Sequence, residues 1–142
     1  MRLSLALLFI LLVSCTEHTC VEFGKMNWCL ENAEYSIVNS SELFFNNTRD
    51  GLNFEARIKT DCNTTSIDIS EFDQSFISSK DGIPFKVYYS ELHPELKLAS
   101  VKFLKGVAIS KKVDINICIE WVAVNERKAL RLIKQLVSNE TP

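Results

Sequence analysis

Between Leu52 and Lys59 the chain reads LNFEARIK, and between Val113 and Trp121 it reads VDINICIEW. In the first segment Leu52, Phe54, Ala56 and Ile58 alternate with Asn53, Glu55, Arg57 and Lys59. In the second, Val113, Ile115, Ile117, Ile119 and Trp121 alternate with Asp114, Asn116, Cys118 and Glu120. A period of two sends successive side chains to opposite faces of a strand, so each segment must rest one face on a core and turn the other to water. Such strands need a sheet, and the sheet needs something to cover its apolar face.

The covering element stands at the end of the chain. Asn125 can cap the run ERKALRLIKQLV, in which Ala129, Ile133, Leu136 and Val137 form one apolar stripe. Further strands are read at YSIVN, in the hairpin ELFFNNTRDGLNFEARIKTDC with its turn at Thr48-Arg49-Asp50-Gly51, at TSIDI, at FKVYYS, and at LASVKFLKGVAIS. Between Ser70 and Pro84 the signals change. Ser70 can cap with Asp73 three residues later, Phe72, Phe76 and Ile77 fall at helical spacing, and Gly82 and Pro84 supply a stop. This predicts a two-turn helix at 71–80. Residues 16–34 read as the least regular part, pinned to the core by Phe23 and Trp28. The expected fold is α+β: an antiparallel sheet of five to seven strands, a C-terminal helix packed on one face, and a short helix near 71–80.

The chain begins Met1-Arg2 and continues from Leu3 to Val13 with Ser4 as its one polar interruption. An apolar run of about ten residues after one positive charge has the size of a signal-peptide core and is too short for a membrane span, which takes about 20. It ends in Leu12-Val13-Ser14-Cys15, which resembles the lipobox of bacterial lipoproteins. The resemblance implies that the Cys15 thiol receives a diacylglyceryl group, that the chain is cut before it, and that the new amino terminus is acylated, palmitate being an expected chain. It further implies, from Thr16 at the next position, an outer-membrane anchor with the domain facing the periplasm. The expected division is a lipoprotein signal peptide over 1–14, a short tether over 15–19 and one disulfide-stapled domain over 20–142. The alternative is a secretory signal cut after Ser14 or Cys15. Asn-x-Ser/Thr sequons begin at Asn39, Asn46, Asn63 and Asn139, and in a eukaryotic source they would mark a secreted glycoprotein.

With Cys15 lipidated, Cys20, Cys29, Cys62 and Cys118 remain, an even set that allows three connectivities. Cys15, His18 and Cys20 have metal-ligand spacing, but a lipidated cysteine offers no thiolate and thiols in an oxidising compartment pair instead. No metal or cofactor is expected. The favoured pairs are Cys20–Cys29 and Cys62–Cys118, closing loops of about 10 and about 57 residues, worth roughly 2.7 and 4 kcal/mol on chain entropy. The second carries a difficulty. Cys62 follows the apolar parity of its strand and Cys118 the polar parity of its own, so the bridge needs Cys62 at a strand end.

Catalytic constellations are not legible. The two histidines are His18, in the expected tether, and His93, before a proline; no nucleophile-elbow glycines flank a serine; four glycines leave no phosphate-binding loop. The acidic groups Asp68, Glu71, Asp73 and Glu91, Glu95 are what a chain with 18 acids is bound to contain. The chain is therefore read as no enzyme. Charge is more uneven: residues 16–96 carry 6 Lys/Arg against 14 Asp/Glu, and residues 97–137 carry 9 against 3. Folding can interleave the two halves into a mixed surface. Otherwise Lys102, Lys105, Lys111, Lys112, Arg127, Lys128, Arg131 and Lys134 form a basic face for headgroup phosphates or an acidic partner. Nucleic acid is not an expected partner, since aromatics are not interleaved with these cations. The pairs Phe44-Phe45 and Tyr88-Tyr89 each put one aromatic on either side of a strand, and an exposed member would mark a partner-binding spot. The expected function is a lipid-anchored cell-envelope protein, a non-catalytic binding or assembly module for a protein or envelope polymer. The alternative is a periplasmic inhibitor or immunity protein acting on a toxin or hydrolase.

Overall fold

The computed structural model describes residues 17–47, 53–92, 94–95 and 102–139. The leader, Cys15, the expected turn at 48–51 and His93 lie outside the described residues. Strands β1 (His18–Phe23) and β2 (Met26–Glu31) form a separate hairpin. Strands β3 (Glu34–Asn39), β4 (Glu42–Asn47), β5 (Phe54–Lys59), β6 (Gln74–Lys80), β7 (Ile83–Glu91), β8 (Phe103–Ser110) and β9 (Cys118–Val124) make one sheet in the order β3-β4-β5-β9-β8-β7-β6. Every pairing in it is antiparallel. Helix α1 (Glu126–Val137) closes the chain.

The alternation read from sequence sets the inner face. Leu43, Phe45, Phe54, Ala56, Ile58, Ile119, Trp121, Phe85 and Val87 are all buried on it. Two elements cover that face. Helix α1 lays down Ala129, Ile133, Leu136 and Val137, the expected stripe, together with Leu132. The β1–β2 hairpin inserts Trp28, whose ring meets Phe85 edge-on at 6.5 Å and whose Nε1–H donates to the Phe23 carbonyl at 3.0 Å. The two covers are tied together, since the Glu31 backbone N–H donates to Gln135 Oε1 and the Arg131 guanidinium sits 2.7 Å from the Glu31 carboxylate. Asn47 Nδ2 donates to the Glu31 carbonyl, fixing the hairpin to the sheet.

Three expectations need correction. Residues 74–80 form strand β6 rather than part of a helix over 71–80. Phe76, Ser78 and Lys80 turn inward while Ile77 is exposed, a period of two that the Phe72, Phe76, Ile77 spacing had masked. The stop at Gly82 is a hairpin turn: Asp81 (φ 51) and Gly82 (φ 74) both take the left-handed conformation of a type I′ turn, which Asp-Gly favours. Residues 16–34 are not irregular. Gly24 (φ 59) and Lys25 (φ 64) make a second such turn, and β1 begins at His18, within the expected tether. TSIDI is no strand; it belongs to the long connection between β5 and β6.

That connection, residues 60–73, must pass from the interior of the sheet to its far edge. The hairpin and helix fill the inner face, so it crosses the outer one. Cys62 pins its start by a disulfide to Cys118, and the Cys62 N–H donates to the Asn116 carbonyl. Glu71 pins its end, where Lys105 Nζ lies 2.9 Å from its carboxylate and the Ser90 hydroxyl donates to its carbonyl. Val107, Ile109 and Cys118 have outer-face parity but are buried. The second disulfide joins Cys20 to Cys29, directly opposed in the hairpin register with Cα atoms 4.1 Å apart. Counting three pairs back from the turn-closing pair Phe23–Met26 places them as neighbours that exchange no backbone hydrogen bonds, where opposed side chains come closest. Cys62 lies beyond the end of β5 at Lys59, which resolves the parity difficulty.

Candidate functional site: a cleft on the outer face

The part of the outer face that the 60–73 connection leaves open is a cleft of about 290 Å³. Its lining comes from four strands and the end of the connection: Phe44 on β4, Glu55 and Arg57 on β5, Glu120 and Val122 on β9, Lys105 on β8, and Phe72. Register explains the grouping. Phe44 lies opposite Arg57 and Arg57 opposite Glu120, while Glu55 lies opposite Val122 and Val122 opposite Lys105. Two adjacent rungs of the ladder thus turn apolar and charged groups to the same side. Phe44, Val122 and Phe72 supply an apolar floor, and Val122 is 45% exposed.

The rim holds both signs. Arg57 Nη1 is 2.9 Å from Glu42 Oε1, Lys59 Nζ is 3.1 Å from Glu120 Oε2, and Lys105 is held by Glu71 and lies 5.7 Å above the Phe72 ring. One partner of each pair is half exposed, where an ion pair contributes at most about 1 kcal/mol. They orient the rim rather than stabilise the fold.

The eight cations expected to share one basic face are distributed over the molecule. Lys105 stands on the outer face, whereas Arg127, Lys128, Arg131 and Lys134 belong to the helix on the inner side. Lys111 and Lys112 lie exposed in the β8–β9 connection. Lys102 pairs with Glu126 at 3.2 Å, and that carboxylate holds the ammonium above its ordinary lysine value. Arg131 pairs with Glu31, and Lys134 sits 5.4 Å from the Phe76 ring.

The acids singled out in the sequence have local partners too. Asp68 accepts from the Ser70 hydroxyl and backbone N–H, which lowers its carboxyl below the usual range. Of the aromatic pairs, Phe45 and Tyr89 face inward, and Tyr89 joins a row with Phe54, Trp121 and Phe76. Burial, then Glu126 and Asp73, raises the Tyr89 hydroxyl. Phe44 turns outward and lines the cleft, on the opposite side of β4 from Phe45. Arg57 and Glu55 were legible as polar parity, but their convergence with Phe72 depends on the crossing of residues 60–73.

Compared with known proteins, the chain matches no family model, no curated protein and no solved structure. The two disulfides make this a disulfide-bonded protein. Among the described residues, no helix is long and apolar enough to cross a membrane.

Proposed function

We propose that this chain is a lipid-anchored protein of the bacterial cell envelope that works as a non-catalytic binding module, and that the outer-face cleft holds its partner. The observation that carries the binding role is the cleft itself: an open apolar floor of Phe44, Phe72 and Val122 between cations and carboxylates. A rim of both signs favours an extended polypeptide segment, whose backbone dipoles and side chains can meet either charge, over a uniformly anionic polymer.

The anchor is proposed from Leu12-Val13-Ser14-Cys15 at the end of the apolar leader. Two disulfides support an oxidising compartment. Glu17, two residues after Cys15, already accepts a hydrogen bond from the Asn32 N–H at 2.7 Å, so the domain would sit against the membrane without a stalk. The anchor leaves from the hairpin layer, on the side of the sheet opposite the cleft. The cleft is then free to face the periplasm.

Site-specific photocross-linking in the native envelope tests this reading. A photoreactive residue at Val122 should capture a protein that Phe44→Ala and Arg57→Glu each release, while the same probe at exposed Val113 captures none of it. Equal capture from both positions would remove the cleft from the account.

A further inference from the structure

The two edges of the seven-stranded sheet are built differently. The β6 edge carries Lys80, a charge pointing into the molecule, and its end is held by the residues that finish and follow α1: the Ser78 hydroxyl donates to the Val137 carbonyl, Lys80 Nζ to the Ser138 carbonyl, and the Asp81 N–H to Asn139 Oδ1. Inward charges and covering segments are how sheets block pairing with other chains. Among the described residues, the β3 edge has neither. Its sequence, EYSIVN, contains no lysine, arginine or proline, and every residue of it is exposed. Tyr35 is 46% exposed, Ile37 56% and Val38 55%. Its one irregularity is a register shift between Ile37 and Asn39, which leaves residues 34–37 as regular strand.

We propose that β3 pairs antiparallel with β3 of a second copy of this chain, about a two-fold axis at Ser36. The register follows from the side chains. Tyr35 and Ile37 lie opposite Phe45 and Leu43, so both project on the inner-face side of the sheet. With Ser36 opposite Ser36 of the partner, Tyr35 of each copy meets Ile37 of the other, an aromatic and a β-branched residue paired twice on one face. The row Leu43, Phe45, Tyr35, Ile37 then continues across the axis. Glu34 is the one charge on the strand, and this register sets the two Glu34 positions about 13 Å apart, just outside the ladder of residues 35–37 that the copies share. Self-pairing therefore brings no like charges together, and it satisfies the outward backbone groups of an edge that no described residue covers. This inference is independent of the anchor and of the cleft, which lies on the other face.

Full-length protein purified in mild detergent provides the test. Sedimentation of the wild type should show a reversible dimer. Ile37→Lys should weaken self-association about tenfold or more by removing both aromatic–aliphatic pairs, with the native disulfides and circular dichroism unchanged. Under mild oxidation Ser36→Cys should give a covalent dimer whose linked peptides map to position 36 in both chains. Ile77→Cys, on the opposite edge and 72% exposed, should not. A wild type that stays monomeric, a dimer indifferent to Ile37→Lys, equal linkage from both cysteine variants, or a Ser36→Cys link to a different protein would each overturn the proposal.

Discussion

Single residues decide how closely the sheet and its covers approach. Gly106 on β8 lies opposite Trp121, and a Cβ there would clash with Cε2 and Cζ2 of the indole. Trp121 is held by Phe54 on one side and Tyr89 on the other, with ring centroids at 6.1 and 6.2 Å, so it cannot swing aside freely. Gly106→Ala should therefore destabilise by about 1–3 kcal/mol through overpacking, read as a lower denaturation midpoint with an unchanged slope. Lys80 makes a different prediction. Burial holds its ammonium below the ordinary value of 10.5, although it lies over Trp28 at 5.7 Å. The unfolded chain then binds this proton more tightly than the folded one, so stability rises with pH across the window below 10.5. Lys80→Met should lose that rise: the wild type should gain on the variant as pH climbs toward 10.5, and a difference that stays flat would contradict the burial of the charge. Neither residue was legible in the sequence. Parity assigns Lys80 to a face only after residues 74–80 are known to be a strand, and Gly106 gains its meaning from a tryptophan 15 positions away.

At the scale of elements, what was legible followed the strength of local periodicity. Strands β5 and β9 and the stripe of α1 were readable because several consecutive positions agreed on one period. The segment 71–80 is ambiguous in sequence because its three apolar residues fit a helix as well as a strand, and Gly82 reads as a helix stop although Asp81-Gly82 is also a hairpin signal. Gly82→Ala tests that turn. A Cβ at Gly82 meets nothing within 4 Å, so the cost of alanine is conformational and should come to about 1–2 kcal/mol. The helix start gives a second test. Asn125 accepts from the Lys128 N–H and itself has φ 76. Asn125→Ala should cost about 1–2 kcal/mol, and Asn125→Gly only a few tenths, because glycine keeps the backbone while losing the cap. Equal losses in thermal or chemical denaturation would show that the side-chain bond alone matters. The β1–β2 hairpin escaped sequence reading for another reason: its Gly24-Lys25 turn lacks the Asn-Gly or Asp-Gly pair that announces such turns.

At the scale of the molecule, two disulfides fasten different layers. Cys62–Cys118 spans 56 positions and holds the crossing connection to the outer face, while Cys20–Cys29 spans 9 within one hairpin. Paired Cys→Ala variants of the long loop should lose about 4 kcal/mol, against roughly 2.7 for the hairpin, read from denaturant midpoints. The cleft depends on the first bridge more than the second, since that bridge fixes the segment ending in Phe72. No local pattern in the sequence could have placed Phe72 over β8, because the placement follows from which face of the sheet was already occupied. The charge asymmetry along the chain had a similar fate. Arg131–Glu31 and Lys105–Glu71 join its basic end to its acidic one, and the cations end on both sides of the sheet. The proposal of a lipid-anchored domain fastened by two disulfides is tested by the intact mass of the mature protein from its native host, before and after reduction and alkylation. The expected mass is that of residues 15–142 plus a diacylglyceryl group and an acyl chain, with Cys20, Cys29, Cys62 and Cys118 unreactive until reduced. An unlipidated mass carrying sugar would contradict it and make the chain a secreted glycoprotein.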